Sequence, residues 1–100
     1  MDQALPVGWA KQENALARTI QCKDFVEALA LLLAVGKLSE NADHHPDVDL
    51  RFNKIRLSLS THSAGRTITS KDFSLAEEIN GLTDHDTRPI VADLRARFAA

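Results

Sequence analysis

Three of the four histidines in this 100-residue chain fall between positions 44 and 62. An imidazole with an ordinary pKa near ~6.5 can give or take a proton around neutral pH. Several imidazoles around one pocket can therefore protonate a leaving group and remove a proton elsewhere on the same substrate. His44 and His45 are adjacent and precede Pro46. Neighbouring side chains diverge on a helix and point to opposite faces of a strand. The pair can share one cavity only from an irregular segment, which Pro46 provides by disfavouring helical geometry at His45. Counting by twos from Arg56 through Ser58 and Ser60 puts His62 away from the core, at the mouth of a strand. Asp72 opens the next helical pattern. Plainer readings compete. A lone histidine is usually a surface or hydrogen-bonded residue, and His85 is read that way. Thr69-x-x-Asp72 is itself a capping-box pattern. Three imidazoles plus water also make a catalytic zinc arrangement. Spacing alone leaves acid–base catalysis, metal binding and plain structural use open.

These residues need elements to hold them. Trp9 to Glu13, Asn14, and Ala15 to Cys22 read as a hairpin after a short lead-in with one helical turn over residues 1–8. Leu16, Ile20 and Cys22 share a strand face, with Arg18 intruding on it. Asp24 and Glu27 form a capping-box start for a helix running to about Asn41. Its apolar residues are wider than one stripe: Phe25, Leu29, Leu32 and Leu33 make one face, and Leu31, Val35 and Leu38 an adjacent one. Val48, Leu50 and Phe52 alternate as a strand, Asn53-Lys54 turns, and Ile55, Leu57 and Leu59 alternate as another. A loop from Ser63 to Thr67 leads to a helix capped by Thr69 or Ser70, ending near Asn80 at Gly81. Thr87 is expected to cap a last helix bearing Ile90, Val91, Leu94 and Phe98. The order ββαββα plus a helical tail predicts an α+β fold, an antiparallel sheet with helices packed on one face. The wide apolar surface of the first long helix predicts a homo-oligomer through Leu31, Val35 and Leu38, unless the tail helix covers that face within the chain.

At this length the expectation is one domain over residues 1–100. Twelve basic and 14 acidic residues give a net charge of −2, which weighs against a nucleic-acid partner. A single cysteine, Cys22, excludes an internal disulfide framework and a cysteine zinc cluster. The longest apolar stretch, Ala28 to Val35, is far short of the ~20 residues that span a bilayer. The start MDQALPVGWA has no basic segment followed by an apolar one, so a cytoplasmic location is expected, without a membrane partner.

The segment Glu40-Asn41-Ala42-Asp43-His44-His45-Pro46, with Phe52, Ser60-Thr61-His62 and Asp72 following, resembles the signature of pterin-4a-carbinolamine dehydratases. Val7-Gly8-Trp9, Lys23-Asp24-Phe25 and Phe73-Ser74-Leu75-Ala76 are similar to other family segments, so the likeness covers about residues 7 to 82, and 83–100 form a helical extension. The resemblance implies a four-stranded antiparallel sheet with helices on one face. It implies dehydration of a 4a-hydroxytetrahydropterin to the quinonoid dihydropterin, recycling the pterin of aromatic amino acid hydroxylases. Pterin is then the substrate, and neither metal nor other cofactor is expected. The catalytic residues would be His44 and His45 for acid–base chemistry and His62 for positioning or acid–base support. Asp43, Ser60, Thr61, Ser63 and Asp72 would make the substrate site. The family also forms dimers or dimers of dimers, so a homodimer or homotetramer is implied. Two departures stand out: Val48 where an aromatic is common, and nine residues between His62 and Asp72, one more than the commonest form, with Arg66-Thr67 in that loop. The family also holds Rubisco assembly factors lacking the histidines, and animal members that double as transcription dimerisation cofactors. An interaction protein is therefore the alternative reading.

Overall fold

The computed structural model describes residues 4–99, so the first three residues of the lead-in and the last residue lie outside it. The described lead-in makes one hydrogen-bonded turn, the Trp9 amide donating to the Pro6 carbonyl at 3.1 Å. Strands β1 (Ala10–Gln12) and β2 (Ala15–Gln21) form the first hairpin, and β3 (Asp47–Arg51) and β4 (Lys54–Leu59) the second. They join as one antiparallel sheet in the order β1-β2-β4-β3, with Leu16 opposite Leu59 and Val48 opposite Leu57. The alternation in β4 works as expected: Ile55, Leu57 and Leu59 are fully buried beside Leu16. Helices α1 (Phe25–Ala42) and α2 (Ser70–Asn80) cover that face through Ala28 and Val35, and through Leu75, Ala76 and Ile79. The fold is the α+β arrangement expected.

Several local expectations shift. Phe52 is not a strand residue. It forms the turn with Asn53 at φ 53° and is 68% exposed, while Lys54 already belongs to β4. Asp24 caps α1 by accepting from the Glu27 amide at 2.9 Å. Glu27 does not return the bond, and its Oε2 is buried without a partner among the described residues. The buried side of α1 carries Ala28, Val35 and Ser39, with Leu31 and Leu38 packed against the core, so Phe25 and Leu33 lie exposed.

The last helix, α3 (Asp84–Phe98), starts one turn earlier than Thr87. Thr83 caps it, its amide bonding the Asp86 carboxylate at 2.9 Å, and this places Pro89 inside the helix. A start at Thr87 would have put Pro89 in the first turn, where proline is best tolerated. The stronger capping box at Thr83 wins instead. Helix α3 packs chiefly along α1, and Arg95 bridges to Asp24 at 2.8 Å. Val35 is only 1% exposed within this chain. Val35 faces the sheet and α2 in the core, so it is not available to a second copy, whereas Leu31 and Leu38 are only partly buried against that core.

Arg18, the intruder on the apolar face of β2, has a physical account. Its Nη1 donates to Asn80 Oδ1 at 2.5 Å, and Trp9 Nε1 donates to the same oxygen at 2.9 Å. Asn80 Nδ2 in turn donates to the Val7 carbonyl at 2.9 Å, tying the lead-in, β2 and the end of α2 together.

Candidate active site

Helix α1 ends at Asp43, which takes the left-handed conformation at φ 50°. Aspartate tolerates that region better than most residues. The Asp43 amide donates to the Glu40 carbonyl at 3.2 Å, and the His44 amide to the Ser39 carbonyl at 3.1 Å. These bonds close the helix and turn the chain, and Pro46 then carries it into β3. His44 and His45 therefore leave from an irregular joint, as their adjacency requires.

On the other side, β4 stops at Leu59 and the chain continues as Ser60 and Thr61 into a short 3₁₀ turn, His62–Ala64. The inward parity of β4 persists at Thr61, which is 4% exposed, while Ser60 is half-buried and His62 exposed. The Thr61 amide pairs with the Thr67 carbonyl at 2.8 Å, which folds the loop back on itself.

These two joints meet around a cavity of ≈250 Å³ lined by Asp43, His44, His45, Ser60, Thr61, His62, Ser63 and Lys71. It brings together the three histidines and every expected substrate residue except Asp72. Asp72 is fully buried and lies behind His44. Its Oδ1 meets His44 Nε2 at 2.6 Å. Its Oδ2 accepts from Thr61 Oγ1 and from the Thr69 amide, both at 2.8 Å. Thr69 Oγ1 lies 2.6 Å from Thr61 Oγ1. The hydroxyl protons therefore run in one direction, Thr69 to Thr61 to Asp72. The capping box and the site are one structure: the carboxylate that starts α2 also fixes His44. A carboxylate on Nε2 keeps the proton there and leaves Nδ1 as the lone-pair nitrogen of the neutral ring.

His45 is differently placed. Its Nε2 pairs with Glu40 Oε2 on the surface, where the two side chains are 53% and 78% exposed. Glu40, one α-helical turn before the histidines, belongs to the family-like segment, and its pairing with His45 gives it a use at the site. Lys71 carried no signal in the sequence, because nothing in its local pattern marks a surface lysine as facing a pocket built from residues 43–45 and 60–63. Among the described residues, no group of three or more His, Cys, Asp or Glu side chains is arranged to hold a metal ion. His85 lies on α3, outside this cavity.

Comparisons with known proteins point the same way. The family model described as pterin 4 alpha carbinolamine dehydratase matches residues 1–82. A protein of Roseiflexus castenholzii, provisionally named pterin-4-alpha-carbinolamine dehydratase, is 48% identical over 73 residues, covering 73% of this chain and 77% of its own. One of Mycolicibacterium smegmatis with the same provisional name is 40% identical over 82 residues, covering 80% and 86%. The crystal structure of a transcriptional coactivator/pterin dehydratase from Brucella melitensis superposes with a TM-score of 0.70 at 30% identity, over 75% of this chain and 81% of that one. A pterin dehydratase-like protein identified as a RuBisCO assembly factor of the alpha-carboxysome shares the fold, with a TM-score of 0.59 at 15% identity over 73% and 83%.

Proposed function

The chain belongs to the pterin-4-alpha-carbinolamine dehydratase family, and from that premise we propose that it dehydrates a 4a-hydroxytetrahydropterin to the quinonoid dihydropterin. The bond from C4a to the hydroxyl oxygen breaks, and a proton delivered to that oxygen lets it leave as water. The proton on the neighbouring ring nitrogen is removed, and its electron pair forms the new C=N bond. No oxidant or metal is needed, and pterin is substrate rather than cofactor.

One observation carries this reading: His44 sits in the cavity wall, its side chain 11% exposed, with a fully buried carboxylate on Nε2. That pairing sets up Nδ1 as the base for the ring-nitrogen proton. His45, whose Nε2 pairs with Glu40, supplies the proton to the departing hydroxyl. Ser60, Thr61, Ser63 and Asp43 hold the pterin, and His62 positions it. The reading places the enzyme in the cytoplasm, recycling the pterin of an aromatic amino acid hydroxylase. It also includes self-association, now through the exposed Phe25 and Leu33 of α1 rather than the buried Val35. Light scattering that shows a monomer at micromolar concentration would refute that part.

Turnover of freshly generated 4a-hydroxytetrahydropterin is the test. Alanine at His44 or His45 should lower kcat by about 10²–10⁴-fold, the usual worth of a proton-transfer group. The double variant should be less than additive, because the two act as a unit. His62→Ala should raise KM more than it lowers kcat, and His85→Ala should change neither. Near-wild-type turnover by the double variant would end the catalytic assignment. The second reading, an interaction protein like the assembly factor or the coactivator, would then take first place.

A further inference from the structure

A second cavity, of ≈420 Å³, opens on the helix-free face of the sheet. Ser60 lines both this chamber and the histidine cavity, so the two lie side by side at the end of β4. Ala15 and Ser58 give it a floor of small side chains. Arg56 and Arg66 stand at its sides, with Glu13 and Asp47 also on the rim. Neither guanidinium has a carboxylate at ion-pair distance among the described residues; Arg56 donates only to the side-chain oxygen of Gln12.

Arg66 is held there at a cost. It adopts φ 59°, a left-handed conformation uncommon for a residue other than glycine, directly after Gly65 at φ 81°. Two bonds fix it: the Arg66 amide donates to the Thr61 carbonyl at 3.0 Å, and Thr61 pairs back to Thr67 at 2.8 Å. The residue that anchors this strained turn is the one that donates to Asp72. Strain kept by surrounding bonds beside a reactive site points to a task for the residue so presented.

We propose that this second chamber receives the substituent carried on the pterin ring, and that Arg56 and Arg66 select an anionic one, a carboxylate or a phosphate. The proposal rests on the dehydratase reading. The ring occupies the histidine cavity and its side chain passes Ser60 into the chamber. Guanidinium groups match both anions through paired N–H donors. Glu13 and Asp47 offset the two positive charges while the chamber is empty, so they limit the preference and removing one should sharpen it.

Three 4a-hydroxytetrahydropterins test this: one with a neutral dihydroxypropyl chain, one with a carboxylate-bearing chain, one with a phosphorylated chain. The readout is the ratio of KM for each anionic substrate to KM for the neutral one. Arg56→Gln and Arg66→Gln should each raise that ratio about two- to fivefold, the worth of a solvent-exposed charge pair, and less in high salt. Arg66→Lys should restore part of it. Asp47→Asn, which leaves the strained turn alone, should lower the ratio and so reads the same field if an arginine variant folds poorly. The anion with the larger response is the one selected. If neither ratio moves in any variant while the neutral pterin is still turned over, the selection is refuted and the dehydratase reading stands. If the unaltered protein turns over none of the three, both fall together.

Discussion

Asp72→Asn separates geometry from protonation at the site. Asp72 accepts one hydrogen bond at Oδ1 and two at Oδ2. Asparagine offers one oxygen and one NH₂. Placing the oxygen at the Oδ2 position keeps both the Thr61 hydroxyl and the Thr69 amide satisfied. The opposite orientation would leave two buried donors facing an NH₂, at about 1–3 kcal/mol each, so it loses. The NH₂ therefore faces His44 Nε2 and forces that nitrogen to accept. The proton moves to Nδ1, the nitrogen that should act as base. The fold survives with a loss of about 1–2 kcal/mol from the charge-assisted bonds, or roughly 4–16 °C in Tm for a domain of this size. Turnover should fall by about 10²–10⁴-fold, because the base is in the wrong tautomer. Nitrogen-15 NMR of the imidazole reads the tautomer directly, and the dehydration assay reads the rate. A rate within about threefold of the unaltered protein, with Nε2 still protonated, would refute the reasoning.

Other outcomes follow from other parts of the molecule. Asn80→Ala orphans the nearly buried Trp9 Nε1–H and releases Arg18, so stability should drop by about 1–3 kcal/mol in a denaturant titration followed by Trp9 fluorescence. Asp24 is held below its ordinary carboxylate pKa of 3.8 by the Glu27 amide first and Arg95 second. Its folded pKa is the lower one, so its stabilising effect is present above 3.8 and disappears as pH falls through the folded value. The stability difference between the natural protein and Asp24→Asn should accordingly be present at neutral pH and vanish in strong acid. Burial, then Glu27, then Asp24 push the Cys22 thiol up from its ordinary 9.0. Glu27→Gln should thus speed its reaction with a disulfide reagent at fixed pH. Protein purified without a histidine tag should carry no stoichiometric zinc, and finding one zinc per chain by metal analysis would overturn the metal-free mechanism.

What the sequence disclosed was mostly local. The alternation of Ile55, Leu57 and Leu59 shows which face of β4 is buried, and Asp24 marks where α1 begins, because period and capping act over a few residues. The adjacency of two histidines before a proline already demanded an irregular joint. Long-range partners were not legible. Arg18 looked like a defect in its strand until Asn80, 62 residues away, supplied the acceptor. Asp72 looked equally like a cap or a substrate ligand, and it proved a cap that also grips His44 from behind. The start of α3 lies at Thr83 rather than Thr87, because the Thr83–Asp86 box outweighs the backbone bond that Pro89 loses inside the helix. Lys71 gave no sign at all, since which surface lysine faces a pocket depends on how two distant joints meet.

The double duty of Asp72 has a thermal consequence. First turns of helices open far more often than whole domains do. When the first turn of α2 frays, the Thr69 amide and the Asp72 carboxylate part, and His44 loses the group that fixes its proton. The fraction of molecules able to react at any instant is thus multiplied by the closing equilibrium of a single helical turn. Warming would erode turnover well before the sheet melts, and hydrogen exchange at the Asp72 amide, which bonds the Thr69 carbonyl at 3.0 Å, would track the loss. On the dehydratase reading, the working temperature then depends on how well the first turn of α2 stays wound.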